Sequence, residues 1–169
     1  MNVTIRRAEP ADVDFLLELM SEDDVLENLA VVRPRDREGL AADIERSERE
    51  PQEFGRFVIE LDGQRAGLMG FEVANRRSRI ANLGSLAVHP DFRGRRLADE
   101  AARLFQRHLI HDLGYHRLQL EIYGFNERAQ RHAERAGFVR EGVRRKAYRR
   151  NDEWVDGVIY GVVREDLES

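Results

Sequence analysis

Leu86-Ala87-Val88-His89-Pro90-Asp91-Phe92-Arg93-Gly94-Arg95-Arg96-Leu97-Ala98 decides how this chain reads. An apolar strand ends at His89-Pro90, because the residue before proline is pushed towards extended geometry and proline has no N–H to give a ladder. A short basic turn follows. A helix is then predicted from Arg95 to Leu113, with Leu97, Ala101, Leu104, Phe105 and Leu109 as its apolar stripe and Gly114 as its stop. The first turn of a helix carries unpaired N–H donors and the positive end of the dipole, so it suits a pyrophosphate. Gly94 lets the backbone approach, and Arg93, Arg95 or Arg96 can neutralise charge. Taken alone, an ordinary strand-to-helix turn with solvated arginines explains the stretch equally well.

Working outward, Val3 and Ile5 alternate with polar residues as a short strand, and Glu9-Pro10-Ala11-Asp12 opens a helix continued by Val13, Leu16, Leu17 and Met20. Residues 21–35 are irregular, and Leu40, Ala41 and Ile44 suggest a helix over Arg37 to Arg49. Phe57, Ile59 and Leu61 lead through the turn signal Asp62-Gly63 into the run Ala66 to Val73, which is a β-hairpin. Ile80 to Val88 reads as one strand broken by Gly84-Ser85. Beyond the long helix, Leu118, Leu120 and Ile122 mark a strand, and Asn126 caps a helix from Glu127 to Ala136. Phe138 to Arg149 and Trp154 to Val163 are strands joined around Asn151-Asp152. The order β-α-α-β-β-β-α-β-α-β-β favours one mixed α/β sheet with helices on both faces.

Composition narrows the classes. At 169 residues with 41% apolar and 36% charged, one domain spanning 1–169 is expected. Net charge is −4, which disfavours a nucleic-acid binder, although all but Lys146 of the 28 basic residues are arginine. With no cysteine, disulfides, thiolate nucleophiles and Cys-ligated zinc are excluded. His89, His108, His111, His116 and His132 show no metal spacing, so no metal is expected. No apolar run is long enough for a bilayer and the start lacks a secretory stretch, so a cytoplasmic protein with no membrane partner is expected.

The chain resembles the GNAT superfamily of acetyl-CoA-dependent N-acetyltransferases. Val88, His89 and Pro90 match the lead-in to its cofactor signature, Arg93 the first position and Ala98 the last, while Arg96 stands where glycine is usual. Ile5-Arg6-Arg7-Ala8 with Asp12 resembles the family opening, and Asn126-Glu127-Arg128-Ala129 through Gly137-Phe138 its later motif. These matches run over almost the whole chain. If Arg96 must adopt positive φ, it costs roughly 1–2 kcal/mol; if only close approach is needed, its side chain points outward and can pair with phosphate. The resemblance implies a GNAT-like sheet of about seven strands. Strands four and five are splayed, and Leu86, Ala87 and Val88 pair through their backbone with the pantetheine arm. A backbone N–H near Val88 then faces the thioester oxygen. Arg93, Gly94, Arg95, Arg96, Leu97 and Ala98 hold the diphosphate. Asn126 either contacts the pantetheine arm or is a plain helix cap.

For proton transfer the resemblance points to the branch acetylating ribosomal-protein N-termini, where a Glu precedes the motif Asn at the spacing of Glu121 to Asn126. Glu121 is then the general base or, alternatively, a solvent-facing strand carboxylate. Ala133 occupies the position of the usual acid Tyr, leaving Tyr148 and Tyr160 as substitutes or packing residues. Asn82, at another frequent base position, cannot act as a base; Glu72 is a secondary candidate, and Asp156 can hold a cationic amine. The expected function is transfer of an acetyl group from acetyl-CoA to a primary amine of a protein N-terminus, antibiotic or small molecule, by direct attack. A homodimer is an open possibility. The alternative is a non-catalytic CoA-binding sensor or interaction module of the same fold.

Overall fold

In the computed structural model, which describes residues 1–21, 36–84 and 86–168, one sheet organises the chain. Its strands are β1 (Val3–Arg7), β2 (Phe54–Leu61), β3 (Gln64–Asn75), β4 (Ile80–Leu83), β5 (Ala87–Val88), β6 (Arg117–Tyr123), β7 (Val139–Arg150) and β8 (Glu153–Val163). Their spatial order is β1-β2-β3-β4-β6-β8-β7, with β5 paired to β3 off this path. The helices are α1 (Val13–Met20), α2 (Arg37–Arg49), α3 (Leu97–Arg107), α4 (Glu127–Arg135) and α5 (Arg164–Glu168). Most of the stretch read as irregular, residues 22–35, lies outside the described residues, as does Ser85.

Alternation along the strands divides the apolar residues between two faces. Val58 and Leu68 face α1 and α2, packing with Leu16, Leu19, Leu40 and Ile44. Phe57, Ile59, Met69, Phe71 and Leu118 face α3 and α4, packing with Leu97, Ala101, Phe105 and Ala133. Helices therefore cover both faces, as the element order implies. Two turns are primed: Asp62 (φ 50°) with Gly63 (φ 82°), and Asn151 (φ 50°) with Asp152 (φ 62°). Positive φ at both central residues matches the twist of the flanking strands.

The stretch Ile80 to Val88 is interrupted between Leu83 and Ala87, where the sequence reading puts its break. Two helix boundaries differ from that reading. The long helix begins at Leu97, not Arg95, because Arg96 is left-handed (φ 57°, ψ 20°). Its far end is a π-helical turn over His108–Asp112, and the closing helix α5 was not predicted.

A buried carboxylate ties the chain start to the sheet. Asp12 is 0% exposed and accepts hydrogen bonds from Arg6 (2.7 and 2.8 Å), Arg65 (2.7 Å) and the Glu9 amide (2.7 Å). Burial alone pushes a carboxyl pKa up, but these donors more than reverse it and hold Asp12 well below its ordinary 3.8. Its contribution is thus complete above that unfolded value and is lost as pH falls towards the folded one. Asp12→Asn is expected to cost about 2 kcal/mol at pH 7, less than a fully buried pair because Arg6 and Arg65 keep some solvent. Urea unfolding should show the gap between variant and wild type narrowing at pH 3; an equal gap at both pH values contradicts this.

Candidate active site

The basic turn is held in place by its own strand. Arg93 Nε donates to the Val88 carbonyl at 3.0 Å, and His89 Nδ1 accepts from the Asp91 amide at 3.2 Å. Gly94 (φ 80°) is exposed, and a Cβ built on it meets nothing within 4 Å. No side chain caps α3, and the first backbone bond into it runs from Glu100 N to Arg96 O at 3.3 Å. The amides from Gly94 to Asp99 make no hydrogen bond among the described residues. They form a cradle of donors beside the exposed side chains of Arg95 and Arg96. This fits a diphosphate.

The positive φ of Arg96 resolves the two readings of that position: the backbone is the reason glycine is usual there. Arg96→Gly is expected to stabilise the fold by about 0.5–1 kcal/mol, the relieved left-handed strain less the extra freedom of glycine in the unfolded chain. A raised urea midpoint checks this; a lowered one contradicts it.

The strands part immediately upstream. β4 runs parallel to β6 only from Ile80↔Arg117 to Asn82↔Gln119. The chain leaves β6 there but stays paired with β3, Gly84 N donating to Gly70 O (2.7 Å) and His89 N to Ala66 O (2.8 Å). Gly67 permits this approach, since a Cβ there would lie 2.5 Å from the Ala87 carbonyl oxygen. Hydrogen-bonding direction alternates along an antiparallel strand, so the N–H and C=O of Val88 point away from β3 into the gap beside β6.

Glu121 of β6 stands where the gap opens, just past the last pair, Asn82↔Gln119. Gly157 on β8 has no side chain, and a Cβ there would collide with Glu121 Oε2 and Tyr148 Cε2. The missing side chain opens a trough in which Glu121, Tyr148 and Arg144 converge, Arg144 Nη1 lying 3.8 Å from Glu121 Oε1. Glu121 Oε2 is buried with no hydrogen-bond partner among the described residues. Burial, and then the Glu121 carboxylate, raise the Tyr148 pKa above its ordinary value, so the phenol keeps its proton through the neutral range. The Tyr123 ring meets Tyr148 edge-on at 5.7 Å and lies under the Arg150 guanidinium at 5.0 Å.

Other candidates are placed differently. Tyr160 is 1% exposed and sits among the α3 and α4 core residues, beside Leu120 in register and on the opposite face from Glu121. It is a packing residue and does not join the trough. Asp156 Oδ1 takes the Lys146 amide at 2.8 Å and holds the bulge in β7, where Arg144↔Gly157 is followed by Tyr148↔Val155. Asn126 is the helix cap, its Oδ1 accepting from the Ala129 amide at 3.1 Å, which leaves its amide group for other contacts. Glu72 and Asn82 are opposite each other on β3 and β4, and Asn82 Oδ1 accepts from Gln119 at 2.7 Å. Both share the Glu121 face. Leu97 has its side chain in the core, so only its amide serves the loop. Gly157 and Arg144 escaped the sequence reading. Glycine in the middle of an otherwise apolar strand was the available signal for the first.

The sequence profile of the acetyltransferase (GNAT) domain family matches residues 2–139, and the chain belongs to that family. It is an enzyme of this acetyltransferase class. It is 27% identical over 168 residues to the SPbeta prophage-derived uncharacterized N-acetyltransferase YokL of Bacillus subtilis (strain 168), covering 99% of this chain and 93% of the relative. Among solved structures it is similar to spermidine N-acetyltransferase from Vibrio cholerae in complex with CoA and spermine (TM-score 0.88, 19% identity, 99% and 98% of the two chains). It is also similar to the ribosomal L7/L12 alpha-N-protein acetyltransferase RimL in complex with coenzyme A (TM-score 0.83, 18% identity, 96% and 94%). Among the described residues no group of three or more His, Asp or Glu is arranged to hold a metal. Among the described residues no helix is long and apolar enough to cross a membrane.

Proposed function

We propose that this chain transfers an acetyl group from acetyl-CoA to a primary amine by direct attack in a ternary complex, as a single domain over 1–169. The observation that carries the reading is the buried, unpartnered Glu121 oxygen where β4 and β6 part, in the same gap that the outward-facing Val88 backbone enters. The amides from Gly94 to Ala98, with Arg95 and Arg96, hold the diphosphate. Leu86, Ala87 and Val88 offer backbone groups to the pantetheine arm, and the Asn126 amide reaches the same arm. Arg93 positions the Val88 carbonyl rather than spending its Nε on phosphate.

Acetyl-CoA supplies the acyl group. The incoming ammonium gives a proton to Glu121, the nitrogen–carbon bond forms, and the carbon–sulfur bond breaks. Tyr148 protonates the departing sulfur and is restored by the second proton that the acylated nitrogen sheds, Glu121 passes its own proton to solvent, and the Val88 N–H donates to the acyl oxygen as charge develops there. Glu72 and Asn82 lie on the acceptor face of the sheet. Acetyl-CoA as donor places the reaction in the cytoplasm. Pairing of two copies along the edge strand β7, with Val139 and Val143 exposed, belongs to the same proposal.

The test is product analysis with acetyl-CoA and a panel of primary amines. N-acetyl product in equal amount to released CoA thiol is expected. CoA binding with no transfer to any amine contradicts catalysis and favours the non-catalytic module.

A further inference from the structure

Among the described residues, two arginines of β7, Arg144 and Arg150, stand at the trough beside the carboxylate of Glu121, whereas Arg140 pairs with Tyr160 and lies on the opposite face. The one acid of β7, Glu141, is engaged through both oxygens by Arg117. On β8, Asp156 is committed to the Lys146 amide, and Asp152 in the preceding turn lies 3.3 Å from Arg149. Arg144 and Arg150 bracket Tyr148 on the face that carries Glu121.

Arg144 reaches the trough from two strands away because Gly157 leaves the space over β8 open. At 3.8 Å its approach to Glu121 is too long for a hydrogen bond, and its side chain is 61% exposed. A guanidinium held there presents a fork of donors that matches a carboxylate. The two charges of opposite sign, one buried oxygen and one forked cation, lie side by side at the end of the strand gap. They form the complement of a molecule that carries an amine and a carboxylate a few bonds apart. A polyamine would meet Arg144 and Arg150 as charges of like sign on either side of Tyr148, beside Glu121.

Resting on the acetyl-transfer reading, we infer that the acceptor is a primary amine bearing a nearby carboxylate, with Glu121 receiving the amine and Arg144 the carboxylate as the specificity-determining residue. A free acidic amino acid and the acidic N-terminus of a peptide share this chemistry.

The experiment compares initial rates with saturating acetyl-CoA for free aspartate, a peptide beginning with Asp, the same peptide beginning with Asn, and spermidine. Wild type, Arg144→Gln and Arg144→Lys are measured in parallel. At least one carboxylate-bearing acceptor is expected to exceed spermidine, and the Asp peptide to exceed the Asn peptide roughly tenfold in kcat/KM if peptides are the source. Preference for free aspartate alone assigns the source to the amino acid. Arg144→Gln should raise KM for the acidic acceptor and remove its advantage, with Arg144→Lys restoring part of it. Faster transfer to spermidine, or an acid preference unchanged in Arg144→Gln, overturns the inference and leaves the transferase reading intact. Bound acetyl-CoA with no transfer to any of the four overturns the inference, and the wider panel of primary amines then decides the transferase reading.

Discussion

Gly94→Glu is expected to weaken CoA binding by more than about 100-fold while the protein stays folded. A factor of 100 corresponds to about 2.7 kcal/mol. Two costs combine at the ligand: a carboxylate enters a cradle of donors that otherwise receives a diphosphate, and its bulk blocks backbone approach. The fold itself should tolerate the change. A Cβ at Gly94 meets nothing within 4 Å, so the only internal cost is positive φ, roughly 1–2 kcal/mol. Gly94→Ala carries the same strain without charge or much bulk, and should bind CoA far better than the Glu variant. Titration calorimetry separates the two. Equal affinity of wild type and Gly94→Glu would remove the loop from the cofactor site.

Glu121→Gln is the second large effect. The amide keeps the shape of the carboxylate in the trough over Gly157 but cannot take a proton from an incoming ammonium. Turnover is expected to fall by about 10²-fold or more, with CoA affinity within a factor of about two. The residual rate should rise with pH, because a larger share of the acceptor then arrives already deprotonated. Unchanged turnover across the pH range would exclude Glu121 as the base. Gly157 has a supporting role here. Any side chain at 157 takes the space of the Glu121 and Tyr148 side chains, so this glycine positions the pair without touching substrate.

Much of this arrangement was readable from residue order. The stripe on the long helix, the Asp62-Gly63 and Asn151-Asp152 turns and the Glu121 alternation are local patterns, and local patterns survive into the structure. What escaped was non-local. The late helix start follows from the left-handed backbone of Arg96, a residue whose identity predicts right-handed geometry. Tyr160 and Tyr148 are both tyrosines on C-terminal strands. Only the pairing of Leu120 with Tyr160, and the bulge that re-aims Tyr148, shows that one is core and the other faces the trough.

The central claim is that the free amides opening α3 grip the diphosphate of the cofactor and so aim its acyl group into the gap between β5 and β6. A crystal structure with bound acetyl-CoA measures this directly. The account predicts diphosphate oxygens within hydrogen-bonding distance of amides between Gly94 and Ala98, with the thioester beside Val88 and Glu121. A diphosphate bound elsewhere, with those amides facing only water, would contradict it.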